Sequence, residues 1–237
     1  MIPLVADPAA GIEDLLSRPI ALVAALALVS LLPFAFMTAT AFVKIATVLQ
    51  IVRSAIGAQS VPSSTVIMAL AGVLTVVAMA PVGDKIAARA APLFERKATD
   101  TVTFVRDGVE AVREPLREFL KANASETERG RFYEVARRAR RGGGGGGGTS
   151  TAATVDADDL TVVLPAFVVT ELSEAFAVGF LIYLPFLVID LVVSNVLLAL
   201  GMQMMSPTQV SLPFKLLLFV AIDGWGLLAK ALIEGYR

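Results

Sequence analysis

The sequence predicts an all-α, integral membrane-type protein in which two hydrophobic halves, built as helical hairpins, flank a charged helical insert. Three observations carry this. Hydrophobic residues make up 56% of the chain and charged residues only 17%, with a mean hydropathy of +0.75, whereas a soluble domain is nearer 45–50% apolar and about 25% charged. There is no charge over the 25 residues between Arg18 and Lys44 or the 30 between Arg53 and Asp84, and a helix needs about 20 to cross the hydrocarbon. Finally, residues 84–160 hold 14 of the 20 Lys and Arg and 13 of the 21 Asp and Glu.

These shifts divide the chain into an N-terminal segment (1–18), a first hydrophobic half (19–83), a polar insert (84–160) and a second hydrophobic half (161–237). Hydrophobic helices are predicted at about 20–43, 62–83, 176–200 and 212–233. Asp7, Glu13 and Asp14 precede the first apolar run with only Arg18 to offset them. A secretory signal begins with a basic region, so an uncleaved first helix is expected. The stretch "VKIATVLQIVRSAIGAQS" between the first two helices carries Lys44 and Arg53 and no acid. Positive residues in a short loop favour the cytoplasmic side, which puts both termini and the insert on the periplasmic side of a multi-pass protein.

In the insert, Val105, Val109, Val112, Leu116 and Phe119 recur at steps of four and three. That spacing predicts one face of an amphipathic helix, bent at Pro115. Ser125 and Glu128 have the spacing of a capping box ahead of a second short helix. Five arginines between Arg131 and Arg141 suit a solvated helix end, or lipid headgroups or an acidic partner. Gly142–Gly148 is followed by Thr149 with no Lys, so a phosphate-binding loop is excluded and a flexible linker at 142–148 is expected.

The absence of Cys and His removes disulfides, thiolate chemistry, zinc ligation and histidine catalysis. No enzyme signature, cofactor or metal site is expected, and a net charge of −1 gives no reason to expect nucleic acid. Asp190 and Asp223 lie in apolar runs, where a charge costs about 2.5–3.5 kcal/mol on insertion scales. They are read either as a proton or ion relay or as structural groups, paired with Lys215 or Lys230 or protonated and hydrogen-bonded to a neighbouring helix. Asn195 suits a hydrogen bond across helices.

The run from Gly179 breaks at Gly201, Pro207 and Pro213, giving a predicted loop over 201–213 that carries Met202, Met204 and Met205. Non-helical backbone at membrane depth survives only inside protein or beside a water-filled cavity. The break therefore suggests a lumen with flexible methionines facing it; the alternative is that they fill gaps between helices.

Two blocks, "AFVKIATVLQIVRSAIGAQSVPSSTVIMALAGVLTVVAMAPVGDKI" (41–86) and "LPAFVVTELSEAFAVGFLIYLPFLVIDLVVSNVLLALGMQMMSPTQVSLPFKLLLFVAIDGW" (164–225), resemble the SctR/FliP family of bacterial type III secretion export-apparatus proteins. Gln203 departs from a stretch that is more uniformly Met in that family. The resemblance implies an inner-membrane export channel. In it a ring of about five copies joins a larger homologous subunit and a small two-helix subunit, and unfolded proteins pass a gate of Met202, Met204 and Met205. The helices then pack on sister subunits as well as lipid. The acidic start favours the injectisome branch, and with it virulence, over the flagellar one. Two other readings stand beside it: a small ion- or solute-coupled transporter using Asp190 and Asp223, and a membrane scaffold with no pore of its own.

Overall fold

The computed structural model describes residues 23, 26–27, 29–31, 33–58, 62–95, 101–142 and 156–236. The chain forms two compact units, Met1–Met37 and Thr38–Arg237. In the first, the described residues are helical and exposed. The Gly142–Gly148 linker lies, apart from Gly142, outside the described residues, as do most of the N-terminal segment and the start of the first expected helix. The part of that helix which is described ends at Ala39, with two residues, Thr40 and Ala41, before the next helix.

Among the described residues of the second unit every element is a helix: α1 (Phe42–Ile56), α2 (Ser64–Ala78), α3 (Ala80–Glu95), α4 (Thr101–Asn123), α5 (Glu126–Gly142), α6 (Leu160–Ala199), α7 (Pro207–Ala221) and α8 (Gly224–Glu234). The segment read as a cytoplasmic loop is in fact α1, buried on most of its surface. Its two charges had marked it as loop, but both are partnered. Lys44 lies 3.2 Å from Glu171 and 2.6 Å from Glu174, and Arg53 Nε donates to the Pro62 carbonyl at 2.8 Å. Gly57 ends α1 in the left-handed conformation, φ 79°, which glycine adopts without steric cost.

The second expected helix is two helices. Ser63 caps α2, accepting from the Val66 amide, and the path bends by 56° between α2 and α3. Pro81 accounts for the bend, since it cannot supply the amide that would continue the ladder. The third expected helix began at 176; instead α6 runs for 40 residues from a cap at Asp159, whose carboxylate accepts from the Thr161 amide at 3.1 Å. Glu171 and Glu174 fall in this added stretch, where Lys44 pairs with both. At 1.5 Å per residue α6 is about 60 Å long, about twice the hydrocarbon thickness, and it is apolar enough to span a membrane. The pairs α2–α3 and α7–α8 (bent by 58°) reach that length and composition only when taken together.

Two hydrophobic clusters share α6. The larger gathers α1 and α2 around Ala175, Phe186, Phe219, Leu228 and Leu232. The smaller joins Val82 of α3 and Phe119, Leu120 and Ala124 at the end of α4 to Val163, Ala166 and Phe167 of α6. The amphipathic face expected on α4 is thus covered only at its C-terminal end, at Phe119 and partly Leu116, while Val109 and Val112 stay exposed. The expected capping box is replaced by a tertiary contact: the Ser125 amide donates to Thr170 Oγ1 at 3.0 Å, and Glu128 turns to Arg131 at 2.6 Å.

Helices α1 and α6 meet closely at Gly179, where a Cβ would sit 2.4 Å from Ile51 Cδ1 and 3.2 Å from Ile51 Cβ. No rotamer of Ile51 relieves the second contact. Gly179→Ala should therefore destabilise the chain by about 1–3 kcal/mol, with part of the loss recovered by adding Ile51→Ala, as read by thermal unfolding in detergent.

At the start of α6, Lys121 bonds Asp158 at 2.5 Å and Arg140 approaches Asp159 at 3.5 Å. The Lys121 hydrogen bond holds the Asp158 carboxyl below the usual range, and the Thr161 amide does the same for Asp159. A depressed folded-state value stabilises above the unfolded value of about 3.9 and is lost as pH falls through the folded values. Protection of the α5 end and the α6 start against hydrogen exchange should therefore fall below about pH 4, and this loss should be weakened in Asp158→Asn/Asp159→Asn.

Candidate functional site

The α6–α7 connection is tighter than the sequence suggested. Leu200 ends α6, Gly201 takes φ 75°, and the amides of Gly201 and Met202 bond the carbonyls of Leu198 (3.0 Å) and Leu197 (2.9 Å). This pair of bonds is the Schellman closure of a helix by a left-handed glycine. Pro207 occupies the first turn of α7, where a missing amide costs nothing. Pro213 does not break the chain: it lies inside α7. The non-helical segment is therefore Leu200–Ser206, not 201–213. Met202 and Met205 are half-exposed at 42% and 45%, and Met204 is fully exposed. The methionines do not fill gaps between this chain's own helices.

A polar clamp holds the helices on either side of this segment. Lys215 of α7 lies 2.6 Å from Asp190 Oδ2 of α6 and donates to the Ala55 carbonyl at the end of α1 at 3.0 Å. Ser211 Oγ donates to Asp190 Oδ1 at 2.5 Å. The lysine side chain is 3% exposed and the Asp190 side chain 34%. Of the two readings of Asp190, the geometry supplies the structural pairing with Lys215. The other expected pairing does not form: Lys230 faces Glu234 at 3.8 Å. Asp223 sits in the left-handed conformation, φ 51°, between α7 and α8. Among the described residues it makes no ion pair, but its carboxylate lies at the amino end of α8, where the helix dipole favours an anion. Asn195 is exposed on α6 among Leu191, Val192 and Val196.

A second clamp went unread in the sequence. Lys44, Glu171 and Glu174 converge with Tyr236, whose hydroxyl contacts Glu171 Oε2 and lies 3.1 Å from the Ala41 carbonyl. Lys44 Nζ stands 4.7 Å from the centre of the Tyr236 ring. Burial, and then the nearby Glu171 carboxylate, push the Tyr236 hydroxyl above its ordinary value and keep it a proton donor. The legible signal was Glu171 and Glu174, three residues apart in an apolar run, with one lysine in the other apolar block.

The FliP family profile matches residues 25–232, nearly the whole chain. The chain belongs to the FliP family. Similar proteins include the hypersensitivity response secretion protein HrcR of Ralstonia nicotianae, 41% identical over 88% of this chain and 93% of the relative. Yop proteins translocation protein R of Yersinia pestis is 41% identical over 91% and 95%. The flagellar biosynthetic protein FliP of Caulobacter vibrioides is 36% identical over 94% and 78%. This FliP-family chain is thus related to type III secretion export proteins, and its helices are of the membrane type.

Breaking the Asp190–Lys215 pair should be asymmetric. Asp190→Ala strands a buried cation, at a cost of about 3–5 kcal/mol, whereas Lys215→Met leaves a less buried carboxylate that keeps the Ser211 hydrogen bond, and costs less. Thermal stability of the two variants in the same detergent tests the order.

Proposed function

We propose that this chain is a pore-forming subunit of a type III secretion export gate in the bacterial inner membrane. Copies of it form a ring with a larger homologous subunit and a small two-helix subunit. Unfolded secreted proteins pass through, with the 84–160 insert on the periplasmic side. The observation that carries the reading is the Leu200–Ser206 segment: three exposed methionines on a short link between two helices clamped by Lys215. Unbranched thioethers adapt to irregular contacts, so such links from several copies suit a seal that yields to many different chains.

Family membership supports the secretion role, and relatives named for secretion and translocation support the injectisome branch over the flagellar one. The transporter reading is weaker, because Asp190 is taken by Lys215 and Ser211 and only Asp223 would be left to couple an ion. Asn195, exposed at the depth of the apolar helices, suits a hydrogen bond to a neighbouring subunit.

Replacing Met202, Met204 and Met205 together by Ala should let small ions leak across the membrane while the complex is recovered in normal yield. An intact, non-leaking triple variant defeats the gate. Loss of the complex without a leak means that the methionines are packing groups, each worth about 2–5 kcal/mol when fully buried.

A further inference from the structure

The insert continues into the hydrophobic halves at Gly83–Asp84 and at Leu160–Thr161, and it packs on α6 through Phe119, Leu120 and the Ser125–Thr170 bond. A further tie is made by one side chain from a distant part of the sequence. The Tyr236 ring stacks on Phe119 at the end of α4, with centroids 5.9 Å apart and planes 29° from parallel. Phe119 in turn packs on Phe167 of α6 at 5.6 Å. The opposite end of the same side chain, its hydroxyl, reaches Glu171 of α6 and the Ala41 carbonyl at the start of α1. Tyr236 thus packs against both hydrophobic clusters, and Lys44 closes over its ring.

We propose that Tyr236 is a latch that makes the insert and the hydrophobic half move as one body, with the ring holding the insert and the hydroxyl holding α1 and α6. The division of labour follows from the chemistry of the side chain. Its ring stacks on Phe119 of the insert while also lying under Lys44, and its single polar atom meets acceptors only on the other half. Because α6 continues unbroken from Glu171 to Ala199, a displacement of the insert reaches the helix that ends at the methionine segment. Docking on the insert would then be felt at α1 and α6 without any contact there.

The two functions separate by mutation, read by hydrogen exchange on the full chain in its purified complex. Tyr236→Phe keeps the ring and removes the hydroxyl; exchange should rise over residues 39–46 and stay unchanged over 115–124. Phe119→Leu keeps apolar bulk and removes the stacking, and should do the reverse. Each rise should fall between about twofold and about tenfold, the range set by one aromatic pair or one hydrogen bond. Tyr236→Ala should raise both segments. If Tyr236→Ala yields no complex, the two milder variants decide alone. Tyr236→Phe loosening both segments equally, or Tyr236→Ala leaving either unchanged, overturns the latch.

Discussion

A lysine buried in an apolar protein must meet its counter-charge, and two such lysines fix the arrangement of this chain. Lys44, at the start of α1, is held by Glu171 and Glu174 one third of the way along α6. Lys215, in α7, is held by Asp190 further down the same helix and by the carbonyl of Ala55 at the end of α1. Helix α1 is therefore pinned at both ends against α6, running parallel to it, and Ile51 against Gly179 sets the separation between the pins. Sliding α1 along α6 by a turn would draw Lys44 away from Glu171 and the Ala55 carbonyl away from Lys215. The hydrophobic effect is not directional and does not select one register; the ion pairs do, and they are costly to break from one side only.

That constraint also organises what hangs from α6. The upstream third carries the insert through Phe167, Val163 and the Ser125–Thr170 bond. The downstream end carries the methionine segment, closed by Gly201 and reopened into helix by Pro207. Tyr236 links the upstream clamp to the insert, so the side chains that set register also connect the two halves. The exposed apolar residues of α6 beyond Ala175, among them Phe176, Phe180 and Leu181, remain for lipid or neighbouring chains.

The class of the fold was legible because it rests on composition and on long charge-free runs. The break at Gly201 and Pro207 was legible because glycine and proline act locally. Where the structure departs from the expectation, charged residues sit inside helices. Lys44 and Arg53 lie in α1, expected as a link between helices, and Glu171 and Glu174 lie in the stretch by which α6 extends 16 residues upstream, from 176 to Leu160. Each of these groups has a partner far away in the sequence, which no local pattern displays. Pro213 was misread as well, since its place six residues into α7 is one that a tertiary context tolerates. At the candidate site the methionines and Asp190 were visible in the sequence, whereas Tyr236 was not, because its importance lies only in what surrounds it.

The proposed convergence of the methionine segments at one axis can be tested directly, because the chain has no cysteine of its own. Met204→Cys introduces a single thiol at the fully exposed tip, and a disulfide forms only where Cα atoms come within about 7 Å. Mild oxidation of the assembled complex should link copies through position 204 in high yield, while Val109→Cys on the exposed face of α4 stays unlinked. An intact complex in which cysteines at 202, 204 and 205 all remain free would show that these segments do not meet, and would contradict the gate.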